Sequence, residues 1–169
     1  MVRALAVALA MLSLGACQHS APAPELSAAS QAASGEISFM GTGASFDGSH
    51  VVGARVNLSR RSDGSWGGLM MDQPVDVSIS GKRVSGVNLT MSFTQTSEGT
   101  LIQGQWLGRI LRFEINQNEA IIRTPTRSLT LRRNANGSYG PNSELTMKGD
   151  ATKLNPPLPQ FAFAMAATF

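Results

Sequence analysis

Several things are scarce in this chain of 169 residues. Cysteine occurs once, at Cys17. A disulfide within the chain is therefore excluded. Histidine occurs twice, as His19 and His50. No cysteine and histidine set has the spacing of a zinc site, and no Gly-x-Ser-x-Gly nucleophile elbow occurs. Tryptophan occurs twice and tyrosine once. That is too little for a base-stacking platform. The net charge is only +3, without the clustered base of a dedicated nucleic-acid binder. The apolar run Ala4–Leu14 has eleven residues, where a spanning helix needs roughly 20.

What is present begins at the front. Arg3 supplies one positive charge, Ala4–Leu14 is uncharged, and the small residues Gly15 and Ala16 precede Cys17. This order is that of a secretory signal: a basic start, an apolar middle and a small-residue cleavage zone. Leu14-Gly15-Ala16-Cys17 resembles the lipobox of bacterial lipoprotein precursors. The resemblance covers about the first eighteen residues. It implies that residues 1–16 are a cleaved signal peptide, that diacylglycerol is attached to the Cys17 sulfur, and that the new amino group is acylated with a palmitate-type chain. Two or more chains hold a protein stably on a bilayer, whereas one binds only marginally. In the lipoprotein class, aspartate directly after the cysteine favours retention at the inner membrane. Gln18 stands there instead, so the resemblance points to the outer membrane.

Residues 17–35 are rich in Ala, Ser and Pro with almost no bulky apolar side chain. Such a composition cannot repay its ordering entropy and reads as a flexible tether. Cleavage before Cys17 would leave 153 residues with thirteen basic and eleven acidic side chains. The remainder is long enough for one domain with a real core.

Residues 36–150 carry a period-two pattern. Val52, Ala54, Val56 and Leu58 alternate with polar residues or glycine, as do Val75, Val77 and Ile79; Val87, Leu89, Met91 and Phe93; Leu111, Phe113 and Ile115; and Leu129 and Leu131. Half-buried antiparallel strands produce this pattern. Turn signals separate the runs at Asp47-Gly48-Ser49, Asp63-Gly64-Ser65, Gly81-Lys82, Glu98-Gly99, Gln117-Asn118 and Asn136-Gly137-Ser138. The expectation is an all-β antiparallel meander, closed as a small barrel or folded as a sandwich. A faint repeat relates Leu58–Gly67 to Leu131–Gly140, pairing Trp66 with Tyr139, and Gly104–Gly108 shares the glycine-flanked aromatic. Residues 151–169 open with a proline cluster and end in Phe161, Phe163, Met165, Ala167 and Phe169 at alternate positions. That alternation favours a closing strand, although the alanines favour a helix. It also resembles the last strand of outer-membrane barrels, a reading opposed by the shortness of the runs and the few aromatics.

Chemistry is harder to find. His50 lies near Ser45, Asp47 and Ser49 in turn-like sequence. Asp72 and Asp76 do not face one another as glycosidase carboxylates must. Asp76 and Glu114 fall on polar strand faces. Gly41, Gly43 and Gly48 lack the lysine and following helix of a phosphate loop. No catalytic set, cofactor or metal site is expected. Arg60, Arg61, Arg132 and Arg133 precede turns, and Arg109, Arg112, Arg123 and Arg127 add to them. Guanidinium groups gathered at one end would suit phosphate or carboxylate. The leading expectation is a non-enzymatic envelope lipoprotein whose β module docks on a protein partner or an anionic polymer. The alternative is a small apolar-ligand (lipid) carrier with a cavity bordered by Val87, Leu89, Met91 and Phe93. An outer-membrane-inserted barrel and an enzyme of unrecognised type rank below these.

Overall fold

The computed structural model describes residues 32–169. The signal, Cys17, His19 and most of the tether lie outside the described residues. Thirteen antiparallel strands run in sequence order: β1 (Gly35–Phe39), β2 (Thr42–Phe46), β3 (His50–Gly53), β4 (Val56–Arg60), β5 (Trp66–Met70), β6 (Gln73–Ser80), β7 (Arg83–Val87), β8 (Leu89–Thr96), β9 (Gly99–Trp106), β10 (Arg109–Asn116), β11 (Glu119–Thr124), β12 (Arg127–Arg132) and β13 (Leu145–Gly149). Each of β1 to β12 pairs with its sequence neighbour, and β13 pairs back onto β1. The gap between β12 and β13 is spanned at Tyr139, which bridges to Arg133 on one side and Leu145 on the other. The result is a nearly closed barrel.

Alternation places the apolar side chains inside. Ile37, Leu58, Val77, Met91, Ile102 and Phe113 are fully buried. The opposite positions Asn57, Ser78, Thr90, Gln103 and Thr130 face out and are exposed. This is the reverse of the outward apolar band of a membrane-spanning barrel. Tight curvature needs strands without side chains at points of close approach. In β7 a Cβ on Gly86 would meet the Asp76 carbonyl, and in β9 a Cβ on Gly104 would meet that of Thr90.

Two apolar runs are broken differently from the expectation. Ala54 and Arg55 form a turn, so Val52 points outward while Val56 and Leu58 point in. Asn88, at φ 65°, separates β7 from β8, so Val87 is exposed while Leu89, Met91 and Phe93 are buried.

The C-terminal segment is not a strand. After a single 3₁₀ turn (Asp150–Thr152), the chain crosses one end of the barrel and Gln160–Thr168 forms helix α1 inside the lumen. All nine residues of α1 are buried. A helix that is apolar on every side must be enclosed, and here the barrel wall encloses it. The physical reason for helix over strand is hydrogen bonding. An extended segment alone in an apolar lumen would leave its backbone N–H and C=O groups without partners. The α-helix satisfies them internally. Phe161 packs edge-on to Phe46 at 6.4 Å and Phe163 edge-on to Trp66 at 5.4 Å. Phe169 stacks against Phe39 at 4.2 Å and Phe113 at 5.4 Å.

The two ends of the barrel differ. At one end, the base, the chain enters β1 and leaves β13. Ser34 N–H donates to the Asp150 carboxylate at 2.9 Å, and Asp150 N–H donates to the Ser34 carbonyl at 2.8 Å. The segment leading into α1 closes this end. The Thr100 hydroxyl donates to the Leu154 carbonyl at 2.6 Å, and the Gln95 amide donates to the Pro156 carbonyl at 2.8 Å. At the other end, the rim, α1 stops at Phe169.

Candidate functional site

The turns signalled by Asp-Gly, Asn-Gly and similar pairs all lie at the base. The repeat is a shared loop there. In one copy Ser65 N–H donates to Asp63 Oδ1 at 2.9 Å and Gly64 N–H donates to the Arg61 carbonyl at 3.0 Å. In the other, Ser138 N–H donates to Asn136 Oδ1 at 3.0 Å and Gly137 N–H donates to the Asn134 carbonyl at 3.0 Å. Both loops deliver an aromatic, Trp66 or Tyr139, into the lumen with essentially no exposure. Trp106 is not a third copy, because it precedes a turn at the rim.

The rim turns are built from other residues: Met40-Gly41, Ala54-Arg55, Met71-Asp72, Asn88, Leu107-Gly108 and Pro125-Thr126. Three of them put a bulky apolar residue at positive φ: Met40 at 48°, Met71 at 49° and Leu107 at 49°. In two-residue hairpins this position favours Asn, Asp or Gly, and an L-residue with a large side chain is held there at a conformational cost. Yet Met40 is 65 % exposed and Leu107 47 % exposed, so neither is repaid by burial. The other large exposed apolar side chains are Val52, Leu69, Val87 and Ile110. Each lies in the rim half of its strand, within two residues of a rim turn. Thus all six large exposed apolar residues among those described belong to one end.

Charge follows the same division. Arg61 grips Asp76 with two hydrogen bonds of 2.7 and 3.3 Å, Lys148 reaches Glu36 at 2.7 Å and Lys153 meets Asp150. All three pairs lie on the wall or base. Arg55, Arg109, Arg123 and Arg127 stand exposed at or just below the rim, and no ion pair holds any of them among the described residues. Arg127 lies over the Phe39 ring at 6.0 Å. Asp72 and Glu144 are the acids on that side. The arginines flagged in the sequence are therefore not one ring: Arg60, Arg61, Arg132 and Arg133 lie at the base, Arg109, Arg123 and Arg127 at the rim, and Arg112 on the wall against Glu114 at 3.2 Å.

A cavity of about 500 Å³ opens at the rim. It exists because α1 packs against β1, β2 and β3, leaving space along the opposite wall. Trp106, Leu111, Ala166 and Phe169 line its depth, and Leu107 and Arg109 stand at its mouth. A shallower depression of about 280 Å³ on the outer wall, between β1, β2 and β13, is lined by Glu36 and Lys148, which already satisfy each other. The expected ligand space bordered by Val87, Leu89, Met91 and Phe93 is not the cavity the barrel leaves open.

Asp47, Ser49 and His50 do come together, but not as a nucleophile, base and orienter. The Ser49 hydroxyl and Asp47 carboxylate both approach the same His50 nitrogen, Nδ1, at 3.0 and 3.4 Å. Relay through imidazole needs one partner on each nitrogen. The cluster is an Asx turn at the exposed base, in which Asp47 also accepts the Ser49 and His50 N–H groups at 2.7 Å each. Asp72 sits in a rim turn and Asp76 on the wall under Arg61, so these two acids do not converge. No group of three or more His, Cys, Asp or Glu is arranged to hold a metal among the described residues.

No protein-family model, curated protein or solved structure matches this chain.

Proposed function

We propose that the protein is a lipid-anchored module of the bacterial cell envelope, favoured at the outer membrane, which performs no catalysis and docks on a protein partner through its rim. The anchor rests on the lipobox resemblance at Leu14–Cys17. The docking surface rests on one observation: Met40 and Leu107 occupy hairpin tips at positive φ, where polar residues or glycine cost less, and both stay exposed. Large exposed apolar patches on a soluble module mark interaction sites. Apolar side chains mixed with arginine match the cores of protein interfaces, which are enriched in Met and Arg. An anionic polymer would call for arginine without the surrounding Met, Val, Leu and Ile. The partner surface is therefore apolar with acidic residues at its edge.

Photo-crosslinking in cells tests this directly. A photoreactive residue at Met40 or Leu107 is expected to give the same partner adduct, and one at Ser78 on the wall is expected to give none. Adducts of equal yield from Ser78, or none from either rim position, would remove the rim as the docking surface.

A further inference from the structure

The rim cavity has a character of its own, independent of docking. Its depth is apolar, formed by the Trp106 ring, Leu111, Ala166 and the Phe169 ring. Among the described residues Arg109, at its mouth, has no ion-pair partner, and the side chains lining the cavity include no acid. Thr124 and Thr126 are the polar uncharged residues of the lining. Small-molecule sites are concave, mostly apolar and carry a few placed polar groups, with volumes of roughly 300–1,000 Å³. At about 500 Å³ this cavity falls within that range. It suits one hydrocarbon chain and is too small for the pair carried by a diacyl lipid. Helix α1 shapes the space, because small Ala166 faces it.

We propose that this cavity binds a single-chain amphiphile with an anionic head. The chain lies between Trp106, Leu111, Ala166 and Phe169, and the head meets the Arg109 guanidinium. Carboxylate and phosphate heads share this chemistry, since guanidinium pairs with either through two parallel hydrogen bonds. The site differs in place and selectivity from a barrel-centre carrier cavity, because α1 already fills the centre.

The test uses the full chain carrying Cys17→Ser, free of detergent, with laurate, dodecyl phosphate and uncharged dodecanol as probes below their aggregation limits. Trp106 is the reporter. One-to-one saturable binding is expected by calorimetry, with a tryptophan fluorescence change that disappears in Trp106→Phe while heat of binding persists. Arg109→Gln changes an exposed side chain and leaves the core intact. It is expected to weaken the preferred anionic probe about fivefold, the scale of one exposed charge pair, and to leave dodecanol within twofold. Which of laurate and dodecyl phosphate binds more tightly identifies the head. The proposal is overturned if no probe saturates, if the fluorescence change survives in Trp106→Phe, or if Arg109→Gln leaves the anionic probes unaffected.

Discussion

Replacing Phe163 with alanine tests whether α1 is an integral part of the core. Phe163 is fully buried, in the middle of the lumen, with its ring edge-on to Trp66 at 5.4 Å. Truncating a buried phenylalanine costs about 3–5 kcal/mol through lost transfer energy and a residual cavity. A favourable aromatic pair accounts for about 0.5–1.5 kcal/mol beyond area. The wall around Phe163 is hydrogen-bonded sheet and collapses poorly, so the expected loss is about 4 kcal/mol. That is a large part of the roughly 5–15 kcal/mol that holds a domain together. Urea denaturation followed by tryptophan fluorescence reads it as a lowered midpoint with unchanged slope. Met40→Ala, at an exposed rim position, is the control and is expected within about 0.5 kcal/mol. Ala164→Pro breaks the helix itself. In that background Phe163→Ala is expected to cost much less, because neighbours in one packed unit are not additive. A Phe163→Ala cost below about 1 kcal/mol, or full additivity with Ala164→Pro, would refute the packed helix.

Further outcomes follow from particular residues. Gly104→Ala drives a Cβ into the Thr90 carbonyl and 2.7 Å from Met91 Cα. It is expected to cost more than about 2 kcal/mol in the same assay, whereas Gly41→Ala, at positive φ in open space, is expected to cost about 1 kcal/mol. The hydrogen bond from Arg61 to Asp76, that from Ser65 to Asp63 and that from Lys153 to Asp150 hold these carboxyls below the ordinary aspartate value. A folded pKa below the unfolded one gives stability that is present above about pH 4 and lost as pH falls through the folded value. The melting temperature is therefore expected to fall on the acid side, with a shallower fall in Asp76→Asn. Burial raises the Tyr139 hydroxyl, partly offset by Arg133. Its contribution is present below about pH 10 and lost as pH rises further, and the alkaline loss should shrink in Tyr139→Phe. Cys17→Ser is expected to abolish incorporation of labelled palmitate. Unchanged labelling would remove the anchor.

The strands and half of the turns were legible because their causes are local. Val75, Val77 and Ile79 alternate with polar neighbours, and Asp-Gly or Asn-Gly pairs announce turns, with positive φ at Gly64 and Gly137. Those signals found the base loops at Asp47–Ser49, Asp63–Ser65 and Asn136–Ser138. They found none of the rim turns, where Gly41, Asp72 and Gly108 follow the bulky apolar residues Met40, Met71 and Leu107 and the pair no longer reads as a turn. At Met40 and Leu107 composition serves the exposed surface at the expense of backbone preference. Sites of function are where local propensity and global fold are expected to disagree.

By itself the sequence determined an all-β meander with one apolar face, and it carries a front whose residues resemble a lipobox. Both depend on residue type and spacing over a few positions. Tertiary structure alone decided that the sheet closes around its own C-terminal segment, that Phe161–Phe169 is enclosed, and that one end is apolar and cationic while the other is sealed. The alternation at Phe161, Phe163 and Met165 suits a strand only when another strand is present to take its hydrogen bonds. Inside a barrel there is none, so the same residues form a helix. No local signal carries that information, because it depends on what surrounds the segment.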